Sequence, residues 1–224
     1  MMEQLAQPAR AGLERDLEEI RSVALTMGER VDQAINGATR GLLHRDVAAS
    51  NAVIRGDAAV NRLQARVREL GLSALQTQAA MERDVREILG FLHMTSELER
   101  MADHCVNIAR TARDLADLPP VGEYVDLPKL SRQVAEQVRD MMSALVAHDS
   151  DRARAVAARD DLINRMYHRL VDELIDMMAG NPETVYSCTK LIAVCQNFER
   201  IGDRVTNLAE DLVFLETGEI EELG

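Results

Sequence analysis

One stretch of the chain occurs twice. Residues Leu98 to Arg110 read LERMADHCVNIAR and residues Phe198 to Glu210 read FERIGDRVTNLAE, with Glu, Arg, Asp, Asn and Ala identical at five of the 13 positions. A shift of 100 residues in a chain of 224 accommodates two copies of one unit, so a fold of two similar halves is expected. The duplication extends upstream. Asp57, Asn61 and Arg62 recur as Asp160, Asn164 and Arg165, and Val31, Ile35 and Asp46 recur as Val134, Val138 and Asp149, in both cases at an offset of 103. Only the connection before the motif segment shortens, by three residues.

The periodicity inside each unit is helical. Ile20, Val23, Met27, Val31, Ala34, Ile35, Ala38 and Leu42 step by three and four, the stripe of an amphipathic helix from about Gly12 to His44. Asp46 reads as the N-cap of a second helix reaching about Gln76, and a third begins around Ala79 or Met81 and carries the motif to about Leu115. The segment LPPVGEYVD, Leu118 to Asp126, reads as a linker. The plan then repeats: Pro128 to about Ala147, a cap at Asp149 or Ser150 with a helix to about Met178, and Gly180, Asn181 and Pro182 introducing a last helix to about Leu215. No alternating strand pattern appears, and aromatic residues at 3% with abundant Ala, Leu, Arg, Glu and Met favour helix. The expected fold is all-α, two tandem, sequence-related three-helix bundles over residues 1–117 and 127–224, joined by the linker 118–126. The acidic tail ETGEIEELG is expected to fray.

Composition narrows the function classes. A net charge of −12 opposes nucleic-acid binding, because phosphates would be repelled. The longest apolar runs, such as LIAVC at Leu191 to Cys195, are too short to span a bilayer, and the polar amino terminus lacks the apolar region of a secretory signal. Cys188 and Cys195 lie seven apart on one helix, about 10 Å along its axis, too far for a disulfide. The three cysteines point to a reducing, cytoplasmic compartment.

The candidate site is a set of oxygen donors. Glu99, Asp103 and Asn107 are spaced by four, as are Glu199, Asp203 and Asn207, so each trio shares one helix face. Like charges at that spacing repel and need an offsetting partner. Arg100 and Arg200 could supply it in an ordinary salt-bridged surface, or a hard cation could take the oxygens. Three features favour the cation. The spacing recurs in both halves, the second helix of each half adds Asp57 with Asn61 or Asp160 with Asn164, and Ala102 and Gly202 leave room between the acids. Oxygen donors converging from two helices suit Fe, Mn, Mg or Ca rather than a sulfur-bound structural zinc. No His has Glu three residues before it, which excludes the Glu-x-x-His set of ferritin-like oxidases. His104 reads as a bundle-edge residue. No nucleophile with an adjacent base and no phosphate-binding loop appears, so no enzyme activity is expected.

The paired ERMADHCVNIAR and ERIGDRVTNLAE segments, with MGERVDQAI and VIRGDAAVNRL, resemble the PhoU family of phosphate-transport regulatory proteins from about Leu17 to Leu215. The resemblance implies a cytoplasmic, usually dimeric pair of three-helix bundles that meets the membrane only through partners. It implies a negative regulator of the phosphate-starvation response, an adaptor between the ATPase of a phosphate ABC transporter and a sensor histidine kinase. It also implies metal ions, Fe, Zn, Mn or Mg, on Asp57, Glu99, Asp103, Asp160, Glu199 and Asp203. Asn61 and Asn164 stand where some members carry Asp, and Asp161 beside Asp160 offers a compensating charge. A metal-storage protein whose clusters are themselves the function is the alternative, and a helical scaffold without metal is a third reading.

Overall fold

The computed structural model describes residues 2–76, 80–121 and 126–224, with side chains from Arg10 onward. Ala79 and residues 122–125 of the expected linker lie outside the described residues. Helices α1 (Met2–Leu43), α2 (Val47–Gln76) and α3 (Glu82–Leu115) form the first bundle. Helices α4 (Leu127–Ala147), α5 (Ser150–Ala157), α6 (Asp160–Gly180) and α7 (Val185–Thr217) form the second, and no strand occurs among the described residues. None of these helices is long and apolar enough to cross a membrane.

The repeat is visible in the turns as well as in the rods. Arg45 and His148, 103 residues apart, both adopt left-handed backbone at φ 54° and 53°. Each is followed by a capping aspartate. Asp46 accepts the Ala49 N–H at 2.8 Å and Asp149 accepts the Arg152 N–H at 2.8 Å, satisfying helix-start donors that would otherwise be orphaned. At the last connection Asn181 caps through the Glu183 N–H at 3.1 Å, but Pro182–Thr184 form one 3-10 turn before α7 begins.

Three expectations fail. Helix α1 begins at Met2, ten residues before the Gly12 expected from the apolar stripe. The helix expected from Ser150 to about Met178 is broken at Ala158 and Arg159, dividing it into α5 and α6. The cause lies on α4, where the buried Gln137 donates its side-chain N–H to the Val156 carbonyl at 3.2 Å. That carbonyl also takes the Arg159 N–H at 3.1 Å, a tighter i−3 bond, and the ladder kinks where the side chain enters it. The first-half counterpart of Gln137 is Ala34, which has nothing to insert, and α2 runs unbroken.

The tail does not fray. Gly218 turns the chain at φ 79°, after which Glu221 pairs with Arg154 at 2.9 Å, the Leu223 N–H bonds to Glu210 at 3.0 Å and Leu223 packs on the core. Val121, six residues after the end of α3, is also buried in the core.

One hydrophobic core runs through both halves, with a small separate cluster of Leu13, Leu17, Ala74 and Ile88 in the first. Antiparallel α3 and α7 pack along a central seam, and α1 packs against α4 beside it. Phe198, fully buried on α7 beside the motif, is among the largest side chains in that core. Phe198→Ala is expected to cost about 3–5 kcal/mol through lost burial and an unfilled cavity. Glu221→Gln in the tail should leave the denaturant midpoint nearly unmoved, and chemical denaturation of both variants checks the contrast.

Candidate functional site

Each motif helix buries a broad face and leaves one side open, where Asp103 is exposed and Glu99, Glu199 and Asp203 are half-buried. On α3 the residues Leu98, Met101, Ala102, Cys105, Val106, Ile108 and Ala109 are all buried, so a wide arc of the helix faces α1, α2 and α7. Glu99 and Asp103 occupy the strip that remains, facing α2 where Asp57 projects. On α7 the burial of Phe198, Ile201, Gly202, Val205, Leu208 and Ala209 leaves Glu199 and Asp203 facing Asp160 at the start of α6.

Two acid clusters result, one per half. In the first, burial raises the Asp57 and Glu99 carboxyls above their ordinary range, and the negative charge of Asp103 raises both further. In the second, burial and the neighbouring Asp203 push Asp160 up to about 6. Glu199 is raised by burial and by Asp203, and Asp203 by burial against the opposing pull of Arg200, Arg204 and His104.

The two aspartates that cross from the neighbouring helix are held alike. Asn61 donates to Asp57 Oδ2 at 3.3 Å and Asn164 donates to Asp160 Oδ2 at 2.8 Å. In both, the other oxygen, Oδ1, is buried without a hydrogen-bond partner. A buried carboxylate oxygen left unsatisfied costs free energy, and a cation would offset that cost. Asp160 Oδ1 lies 2.7 Å from the position a Cβ would take on Gly202, so the bare glycine makes the cradle for that oxygen. The donor set fits a hard cation in both halves. Among the described residues, no group of three or more His, Cys, Asp or Glu side chains is arranged to hold a metal ion as it stands.

The structure separates residues that spacing alone put together. Asp160, not the exposed Asp161, faces the cluster. Asn107 is exposed, whereas Asn207 turns away from Glu199 and Asp203 and donates to Glu97 across the seam at 2.9 Å. Four residues of helix rotate each successive side chain by about 40°, so the third member of the trio drifts toward the neighbouring bundle. Arg200 lies 3.7 Å from Glu199 and 3.6 Å from Asp203, as a salt-bridged surface would have it. Arg100 instead pairs with Glu97 at 3.2 Å. Glu97 was missed by sequence reasoning, because its counterpart is Asn197 and the repeat does not mark it. His104 does sit at the bundle edge, bonded to Asn197 at 2.9 Å.

Comparison with known proteins follows the same division. A family profile described as the PhoU domain matches residues 24–112 and again 127–212. The phosphate-specific transport system accessory protein PhoU homolog of Clostridium acetobutylicum is 30% identical over 207 residues, spanning 92% of this chain and 94% of that protein. The homolog of the same name from Aquifex aeolicus is 32% identical over 206 residues, spanning 92% and 93%. Among solved structures, PhoU from Pseudomonas aeruginosa superposes with a TM-score of 0.89 at 28% identity, over 92% of this chain and 99% of that one. The phosphate transport system regulatory protein PhoU from Streptococcus pneumoniae gives 0.85 at 26% identity, over 94% and 100%.

The raised Asp160 sets a pH dependence. Its folded-state pKa of about 6 lies above the unfolded value, so the folded protein binds more protons between about pH 4 and 6, and this group lowers stability as pH rises through that window. Asp160→Asn in metal-free protein should therefore stabilise at pH 7 by about 1–2 kcal/mol after solvent screening, and by nothing at pH 4. Denaturation midpoints of both proteins at the two pH values check this.

Proposed function

The chain belongs to the PhoU family, and from that premise we propose that it is a cytoplasmic negative regulator of the phosphate-starvation response. In this reading it couples the ATPase of a phosphate ABC transporter to a sensor histidine kinase and catalyses no reaction itself. The observation that carries the reading is that relatives named as phosphate transport accessory or regulatory proteins match both repeats over nearly the whole chain, rather than one bundle of it.

The acid clusters supply the regulatory element. Asp57, Glu99 and Asp103 would hold one cation site and Asp160, Glu199 and Asp203 the other. Asn61 and Asn164 orient the bridging aspartates through their amide N–H groups. The bound ion would be Fe, Zn, Mn or Mg, and it would supply countercharge that lets α2 close on α3 and α6 on α7. That closure would change the outer helical faces offered to a partner or to a second copy of the chain.

A starvation-responsive promoter fused to a reporter, in the parent organism grown in excess phosphate, tests the regulatory reading. Deletion of the gene should raise output, and Glu199→Ala with Asp203→Ala should raise it in part. Output that stays low after deletion would refute the role and bring the metal-storage reading forward. Metal analysis of purified protein should show Glu99→Ala with Asp103→Ala emptying one site while the other stays filled. Light scattering should give a dimer, and a single 24.9 kDa species at all concentrations would remove that part.

A further inference from the structure

The α3–α7 seam treats the two acid clusters differently, and residue 97 with its counterpart 197 is where they diverge. Glu97 is only 1% exposed. Its Oε1 accepts from Arg100 at 3.2 Å, and its Oε2 accepts from Arg204 at 3.2 Å and from Asn207 at 2.9 Å. A buried carboxylate of this kind persists only with such partners. The twofold-related residue is Asn197, a neutral amide, which bonds His104 at 2.9 Å and the Ala193 carbonyl at 2.7 Å.

The arginine that opens each motif responds to this difference. Arg100 lies three residues after Glu97 and pairs with it. Arg200 lies three residues after Asn197, finds no anion there, and rests instead between Glu199 and Asp203. The second half therefore shows what the first would do without Glu97. Glu97 also draws Asn207 out of the second cluster, while Asn107 has no such partner in Asn197.

We propose that Glu97 is a positioning residue that makes the first-half site the tighter of two cation sites, by keeping Arg100 out of ion-pair contact with Glu99 and Asp103. This rests on the reading of the acid clusters as cation sites. A cation entering the second site must displace Arg200 from its ion pairs with two carboxylates. At the first, Arg68 and Arg100 pull on Glu99 and Arg110 on Asp57 from longer range, and no ion pair reaches Asp57, Glu99 or Asp103 among the described residues. A positive side chain drawn to a carboxylate lowers that group's affinity for a competing cation by about tenfold.

Calorimetric titration of the full chain with Mn²⁺ tests this, with Asp57→Asn and Asp160→Asn assigning the sites. The intact protein should show two unequal sites, with Asp160→Asn retaining the tighter. Glu97→Asn should weaken the first site about tenfold, and adding Arg100→Ala should restore it, because the competing cation is then gone. Should Glu97→Asn fail to fold, for want of a partner to Arg204, the second half gives the converse test. Asn197→Glu, which keeps an acceptor for His104, and Arg200→Ala should each tighten the second site. Two equal sites, a tighter second site, or a second site indifferent to both of those changes would overturn the proposal alone. No Mn²⁺ uptake at either site would overturn the cation-site reading together with it.

Discussion

The antiparallel packing of α3 against α7 governs how the rest of the molecule is arranged. Helix α3 is surrounded by α1, α2 and α7, and α7 by α4, α5, α6 and α3. The buried face of each motif helix leaves the acids on its open side, beside the aspartate of the preceding helix. The core thus forces like charges together. Hydrophobic burial of fully enclosed side chains, worth about 1.5–3 kcal/mol each, readily exceeds the repulsion among partly solvated carboxylates.

That excess leaves the clusters as stored electrostatic tension. Asp160 held near a pKa of 6, and buried Oδ1 atoms without partners on Asp57 and Asp160, are local costs that the surrounding packing sustains. A cation would relieve them, and the relief would fall at the junctions of α2 with α3 and of α6 with α7. These are the places where a small shift in helix packing reaches the outer surface of each bundle. Ion binding and the shape shown to a partner are linked through the same side chains.

Duplication supplies two copies of this device, and the seam makes them unequal. Gln137, absent from the first half as Ala34, kinks the ladder just before Asp160. Glu97, absent from the second half as Asn197, redirects Arg100, Arg204 and Asn207. In both cases one polar side chain in a buried place makes bonds that its counterpart does not, since a buried donor or acceptor must be satisfied by whatever lies within reach.

The linear pattern determined whatever depends on local geometry. Helix periodicity, the capping aspartates Asp46 and Asp149, and the four-residue spacing of the acids all follow from neighbours within one or two turns, so they were legible in the residues themselves. The convergence of Asp57 on Glu99 and Asp103, and of Asp160 on Glu199 and Asp203, followed from the repeat and from short antiparallel connections. Partner choice was not legible. Whether Arg100 meets Glu97 or Glu99, whether Asn207 faces Asp203 or the other bundle, and whether Glu221 hangs in water or reaches Arg154 depends on surfaces joined from distant segments. Glu97 and Asn207 are 110 residues apart and belong to different repeats. Only the packing of one core across both halves brings them within hydrogen-bonding distance, because a helix face records its own spacing but not the neighbour it will be pressed against.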